Sequence, residues 1–318
     1  MRKRTKKETT SKNKRLFILI GILSVFLVSA GILVFSNLNK KESVQFEHIH
    51  GLGYSSNGES LVVPAHDGLR IYQKNNWEKS ENEANDYMGF SMTKSGFYSS
   101  GHPAPNSKLR NPFGIIKSDN SGSKVEPLAL YGEVDFHGMA AGYFSDAIYV
   151  INASPNSIMK SPGLYYSVDE AQNWNQSKVE NLSGQASTIS VHPTDSKMVV
   201  MGTDEGAYIS KDSGNRFENV IKGEPVSSTA FTFNDKLLVG SIEKNKAKIS
   251  VVDLNSNVKE ELPLPKLNKD EFITFIASNP EKVNEISVST SNNNIFLTRN
   301  LGEKWETIVQ KGKGIQSK

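Results

Sequence analysis

A ladder of tight polar turns runs through this chain, and it limits the folds open to it more than any other feature. Ser210-Lys211-Asp212-Ser213-Gly214-Asn215-Arg216-Phe217 has the form S-x-D-x-G-x-x-aromatic, flanked on both sides by β-rich runs. In such a turn the Asp side chain accepts backbone N–H bonds, the Gly takes a positive φ, and the aromatic packs beneath. Ser167-Val168-Asp169-Glu170-Ala171-Gln172-Asn173-Trp174 repeats the form with Ala171 in the Gly slot, and Thr298 to Trp305 repeats it with Asn300 for Asp. Ser167 and Ser210 are 43 residues apart, and Ser210 and Thr298 are 88 apart, which is two units of 44. The missing rung falls at Val252-Asp253-Leu254-Asn255, and backward steps of 49 and 46 reach Ser118-Asp119-Asn120-Ser121-Gly122 and Ile71-Tyr72-Gln73-Lys74-Asn75-Asn76-Trp77.

Six units of 43–49 residues match the size of a four-stranded propeller blade. The expected blades span 46–80, 87–128, 135–179, 186–220, 226–262 and 272–308, leaving too little chain for a seventh. The fold class expected is therefore all-β, a six-bladed β-propeller over 46–308, with one N-terminal transmembrane helix and a disordered tail over 309–318.

The turn motif resembles the Asp-box (BNR) repeats of sialidases, of sortilin-type receptors and of bacterial propellers grouped with glycosyl hydrolases. The resemblance implies either a glycoside hydrolase of sialidase-like fold or a receptor or assembly factor binding a peptide or protein. It does not extend to sialidase chemistry, in which three arginines hold a carboxylate. After residue 40 there are only Arg70, Arg110, Arg216 and Arg299, and the last two lie inside the turns. A different glycosidase needs two carboxylates facing one cleft, and Glu47, Asp67, Asp86, Glu133 and Asp135 are candidates without a pair marked by spacing.

Residues 16–35 are twenty uncharged, mostly apolar residues, long enough at about 1.5 Å per residue to cross a bilayer core. Eight Lys and Arg among residues 1–15, against the single Glu8, predict a cytoplasmic tail. The expectation is a single-pass membrane protein with a linker at 36–45 and an extracytoplasmic propeller. Cysteine is absent, so neither a lipid thioether nor a disulfide contributes. Nine of the 37 Lys and Arg and one of the 34 Asp and Glu lie in residues 1–40, leaving 28 against 33 beyond them. A mildly acidic domain with scattered charge excludes nucleic acid as a partner.

In a propeller the innermost strand of each blade starts on the rim where the second strand ends, and the polar turns mark the opposite rim. Three inner-strand starts align by glycine: His50-Gly51, Met88-Gly89 and His137-Gly138. Second-strand ends place His66 and His102 on the same rim, with His48 close by, whereas His192 falls on the far rim and reads as structural. Imidazole is the commonest metal ligand near neutral pH, and a thioether beside it favours copper. The expected metal ligands are His50, His66, His102 and His137, with Met88 and His48 as secondary candidates, for Cu or Zn. Glu47, Asp67 and Asp135 are expected to orient ring N–H groups or touch ligand. The partner expected is a small ligand, glycan or peptide at the channel rim. Insertions near 99–106 and 153–163 form a lip on that rim.

Overall fold

The computed structural model describes residues 44–316. The expected cytoplasmic tail, the transmembrane helix at 16–35 and most of the linker lie outside the described residues. Among the described residues no helix is long and apolar enough to cross a membrane.

Six antiparallel sheets follow one another along the chain. The first is β1 (Gly53–Tyr54), β2 (Ser60–Ala65), β3 (Gly68–Gln73) and β4 (Asn76–Lys79). The second is β5 (Asp86–Thr93), β6 (Gly96–His102), β7 (Ile115–Ser118) and β8 (Val125–Ala129). The third is β9 (Met139–Ala141), β10 (Ile148–Asn152), β11 (Gly163–Ser167) and β12 (Asn175–Gln176). The fourth is β13 (Ala186–Val191), β14 (Val199–Thr203), β15 (Gly206–Ser210) and β16 (Glu218–Lys222). The fifth is β17 (Val226–Phe231), β18 (Lys236–Glu243), β19 (Lys246–Asp253) and β20 (Lys259–Leu262). The sixth has five strands, β21 (Ile273–Ser278), β22 (Ile286–Thr290), β23 (Ile295–Thr298), β24 (Trp305–Gln310) and β25 (Lys313–Gly314). Inner strands touch their neighbours around the full circle, β1 to β5, β9, β13, β17, β21 and back to β1. The blades expected from turn spacing are these sheets, and the molecule is a six-bladed propeller.

Alternation along each strand sends one set of side chains into each gap between blades. One apolar cluster fills each junction. Val62 and Leu69 meet Tyr87, Phe97 and Phe113 between blades 1 and 2, and Leu238 and Ile249 meet Ile276 and Val288 between blades 5 and 6. The polar turns rigidify the strands that carry these clusters. Ser210 Oγ donates to Asp212 Oδ1 (2.7 Å) and accepts from Gly214 N (2.9 Å), while Asp212 Oδ1 also accepts from Arg216 N (2.9 Å). Ser167 with Asp169, and Thr298 with Asn300, reproduce this set of bonds. Backbone bonds from Asn173 and Arg216 are the main cause holding Asp169 and Asp212 below the ordinary carboxyl range.

The C-terminal expectation is corrected. Residues 309–316 do not form a disordered tail: β24 runs on to Gln310, and β25 folds back against it. The N-terminal segment then adds to β25, with Phe46 N on Gly312 O (2.8 Å) and Gly314 N on Val44 O (2.8 Å). Trp77 of blade 1 closes the seam from its other side. Its indole N–H donates to Ile308 O (2.8 Å), and its backbone exchanges two bonds with the Gln316 amide.

Candidate functional site

The histidine rim is built from three short strand starts that share one pattern: His48-x-His50-Gly51, Asp86-x-Met88-Gly89 and Asp135-x-His137-Gly138. Glycine at the fourth position lets the chain turn inward where blades crowd together. Gly89 has φ +53°, and a Cβ there would meet Phe136 O at 2.4 Å. The ends of β2 and β6 deliver His66 and His102 to the same rim.

The side chains gather into two groups. In the first, His66 Nδ1 lies 2.8 Å from Asp86 Oδ2 and 3.3 Å from His50 Nε2, and His50 Nε2 lies 3.4 Å from Asp86 Oδ1. His48 stacks edge-on against His66, with ring centroids 4.8 Å apart. His50, His66 and Asp86 are the one set of three or more His, Asp or Glu among the described residues whose ligand atoms all lie within 4.8 Å of one another. In the second group, Asp135 Oδ2 lies 2.8 Å from His137 Nε2 and 3.3 Å from His102 Nε2, while His102 Nδ1 bonds Asn111 Oδ1 (2.6 Å).

Electrostatics favour a neutral ring at His50. Burial is the largest cause lowering its pKa; the positive charge of neighbouring histidines lowers it further, against the opposing pull of Asp86. A neutral imidazole offers a lone pair, which is the form a metal requires. Asp86 Oδ1 and Asp135 Oδ1 are buried and take no hydrogen bond from the protein. Four bonds of about 2.0–2.1 Å around a tetrahedral zinc set ligand atoms about 3.3 Å apart. The separations of 3.3 and 3.4 Å around His50 Nε2 match that spacing, while the 2.8 Å from His66 Nδ1 to Asp86 Oδ2 is a hydrogen bond that an ion would have to replace.

Two of the expected residues are not with the histidines. Asp67 is held by Arg70 and by Lys79 Nζ (2.6 Å). Their hydrogen bonds keep its carboxyl below the usual range despite partial burial, which works the other way. Glu47 is exposed, and only its backbone carbonyl is engaged, by Asn293 Nδ2 (2.8 Å). The carboxylate that does meet His50 and His66 is Asp86. Its signal in the sequence is its place two residues before Met88, the slot that His48 and Asp135 fill in the neighbouring repeats. His192 is buried on the far rim, accepting from Thr194 N and Asp195 N as a turn cap.

Below the rim the central channel encloses about 290 Å³. His50, Met88 and His137 stand at its mouth, Phe90 and Met92 line one wall, and Ser190 and Thr229 line the other. The loop over 153–162 is anchored by buried Met159 and forms one side of a groove of about 820 Å³ that reaches His137. Of the four arginines among the described residues, Arg216 and Arg299 pair with Glu180 and Glu306, and Arg70 is buried against Gln45 O. No three of them converge on this rim to hold a carboxylate.

No family model matches the chain, and no curated protein matches it. Solved structures do. The tricorn protease aligns over 86% of this chain and 27% of its own, at 12% identity and TM-score 0.59. A GH74 enzyme of Niastella koreensis aligns over 83% of this chain and 46% of its own, at 12% identity and TM-score 0.54. The Cps50 (Swd1) β-propeller domain of Myceliophteria thermophila aligns over 85% of this chain and 90% of its own, also at 12% identity and TM-score 0.54. The chain spans less than half the length of the GH74 and tricorn chains it matches. Likeness at this identity shows the fold alone.

Proposed function

We propose that the chain is an Asp-box propeller, anchored in a membrane through residues 16–35, whose extracytoplasmic domain is a binding module for a transition metal. His50, His66 and Asp86 are the ligands for zinc or copper, with His48 beside them. The observation that carries this reading is the meeting of two imidazole nitrogens and a carboxylate within 3.4 Å of one another at a channel mouth. Three protein ligands leave one position of a tetrahedral ion open. Of the three ligands His50 stands at the mouth of the channel, where a small ligand has room. A glycoside hydrolase is the weaker reading, because Asp86 and Asp135 are each engaged by imidazoles, and Glu133, which shares a groove with Asp135, is held by Ser157 N and Oγ.

The test loads the full chain, purified in detergent, with zinc or copper, removes excess by dialysis and counts bound metal by mass spectrometry. A His50→Ala/His66→Ala variant, shown folded by circular dichroism, is expected to hold one equivalent fewer than the native chain. Equal metal content in the two proteins would overturn the assignment.

A further inference from the structure

The large apolar side chains left in water are not spread evenly over the propeller. Seven are exposed among the described residues, and five of them, Phe144, Val168, Val258, Val283 and Leu301, are 44–53% exposed. Phe144 and Val283 lie in the loops that join the first two strands of blades 3 and 6. Val168, Val258 and Leu301 lie in the turns that join the last two strands of blades 3, 5 and 6. All five therefore sit on the polar-turn rim, whereas the histidine rim carries only Ile158, between β10 and β11. Single exposed apolar residues are ordinary on a protein surface. Their gathering on one end is not.

Val283 and Leu301 adjoin each other on blade 6, where Leu301 N donates to Asn284 O (3.2 Å). Phe144 belongs to an aromatic group at the far end of the channel. Its ring centroid lies 4.9 Å from that of Tyr143, which lies 4.8 Å from that of Phe233. The exposed Lys94 holds Nζ 6.0 Å from the Phe144 centroid. An aromatic body beside a cationic tip suits the headgroup layer of a bilayer, apolar on one side and wet on the other.

The path of the chain brings the same rim to the membrane. β24 climbs from the polar turn of blade 6 toward the histidine rim, and β25 runs back down. The segment 44–46 is antiparallel to β25 through Gln45 and Lys313, so from Phe46 back to Val44 it heads for the polar-turn rim. Val44 O accepts from Gly314 N, and Gly314 pairs with Val309, four residues above Trp305 at the base of β24. That rise is about 13 Å, and the eight residues 36–43 reach at most about 26–29 Å when fully extended. With the span at 16–35, the base of blade 6 is then held within about 15 Å of the bilayer.

We propose that the polar-turn rim docks on a lipid bilayer, with Val283 and Leu301 nearest the tether and Phe144 and Val168 reaching the same surface from blade 3. Blades 3 and 6 face each other across the six-bladed ring, so contacts on both lay the rim flat and turn the histidine mouth away from the membrane. This rests on the reading of residues 16–35 as an anchor and is independent of any metal.

Cysteine is absent, so single introduced cysteines can each carry one fluorescent label. Asn284→Cys on blade 6, Gln172→Cys on blade 3 and Ser154→Cys on the histidine rim are all at exposed positions. Each full-length variant is reconstituted into phosphatidylcholine vesicles that contain a lipid with a nitroxide headgroup. The labels at Asn284 and Gln172 are expected to lose most of their fluorescence, and the label at Ser154 to keep it. Adding Phe144→Ser/Val283→Ser/Leu301→Ser to the Asn284→Cys chain, shown folded by circular dichroism, should restore the signal while the chain still floats with the vesicles. Equal quenching at all three labels in a chain that floats would overturn the docked rim and leave the anchor standing. Quenching at Asn284 alone would reduce the contact to the tether and overturn it too, as would a signal unmoved by the triple substitution. A chain that does not float would overturn the anchor, and the docked rim with it.

Discussion

Asp67 and Asp86 show how much turns on a single carboxylate. Both sit beside a rim histidine in sequence or space, yet Asp67 is neutralised by Arg70 and Lys79 while Asp86 faces His50 and His66. Asp86→Asn is therefore expected to abolish metal uptake at His50 and His66, and Asp67→Asn to leave it unchanged; metal content of the two variants decides the matter. The histidines themselves were legible, because strand alternation and glycine alignment fix which rim each one reaches. The choice between the two aspartates was not. Asp67 is drawn away by Arg70, three residues on across a hairpin, and that contact depends on how the turn at Gly68 folds. Asp86, named only among five carboxylates that could serve a hydrolase, becomes legible as a partner of the histidines when the repeats are aligned two residues further upstream than the glycines require.

The polar turns are the elements on which sequence reading succeeded most fully. Spacing between them located all six blades, since each side-chain bond in the turn is local and survives whatever packs around it. Ser210 holds both Asp212 and the buried Gly214 N–H, so Ser210→Ala should destabilise the domain by about 1–3 kcal/mol, read from chemical unfolding. Asp212 and Asp169 ionise below the ordinary value of about 3.8 in the folded state. Depressed carboxyls contribute stability that is present above that value and is lost as pH falls through the folded pKa. Asp212→Asn keeps an acceptor in the turn, as Asn300 does in blade 6, and removes the titrating proton. The variant is expected to show a shallower loss of stability on acidification below about pH 4 than the native chain. Parallel acid titrations followed by tryptophan fluorescence check this, and identical acid limbs would count against it.

At the scale of the whole molecule, ring closure was the part the sequence concealed. Two-residue strands such as β25 carry no periodicity to detect, and the partner of Lys313 lies at Gln45, the other end of the domain. Deleting residues 311–318 removes the bonds from Gly312, Gly314 and Gln316 to Phe46, Val44 and Trp77. At about 1 kcal/mol per bond the loss is expected to reach about 3–4 kcal/mol. Calorimetry should show a lower melting temperature, and full retention of stability would mean that the seam is held by the apolar cluster around Trp77 alone.

The seam also settles how the ring yields to force. Val44 lies opposite Gly314 and Phe46 opposite Gly312, so the two ends of the domain leave from the same side of one antiparallel pair. Tension applied between residues 44 and 316 loads those bonds in sequence, as a zip is pulled, and not together in shear. The N-terminal segment is thus arranged to peel from β25 one bond at a time, while Trp77 and the apolar cluster around it hold blade 1 to blade 6 independently.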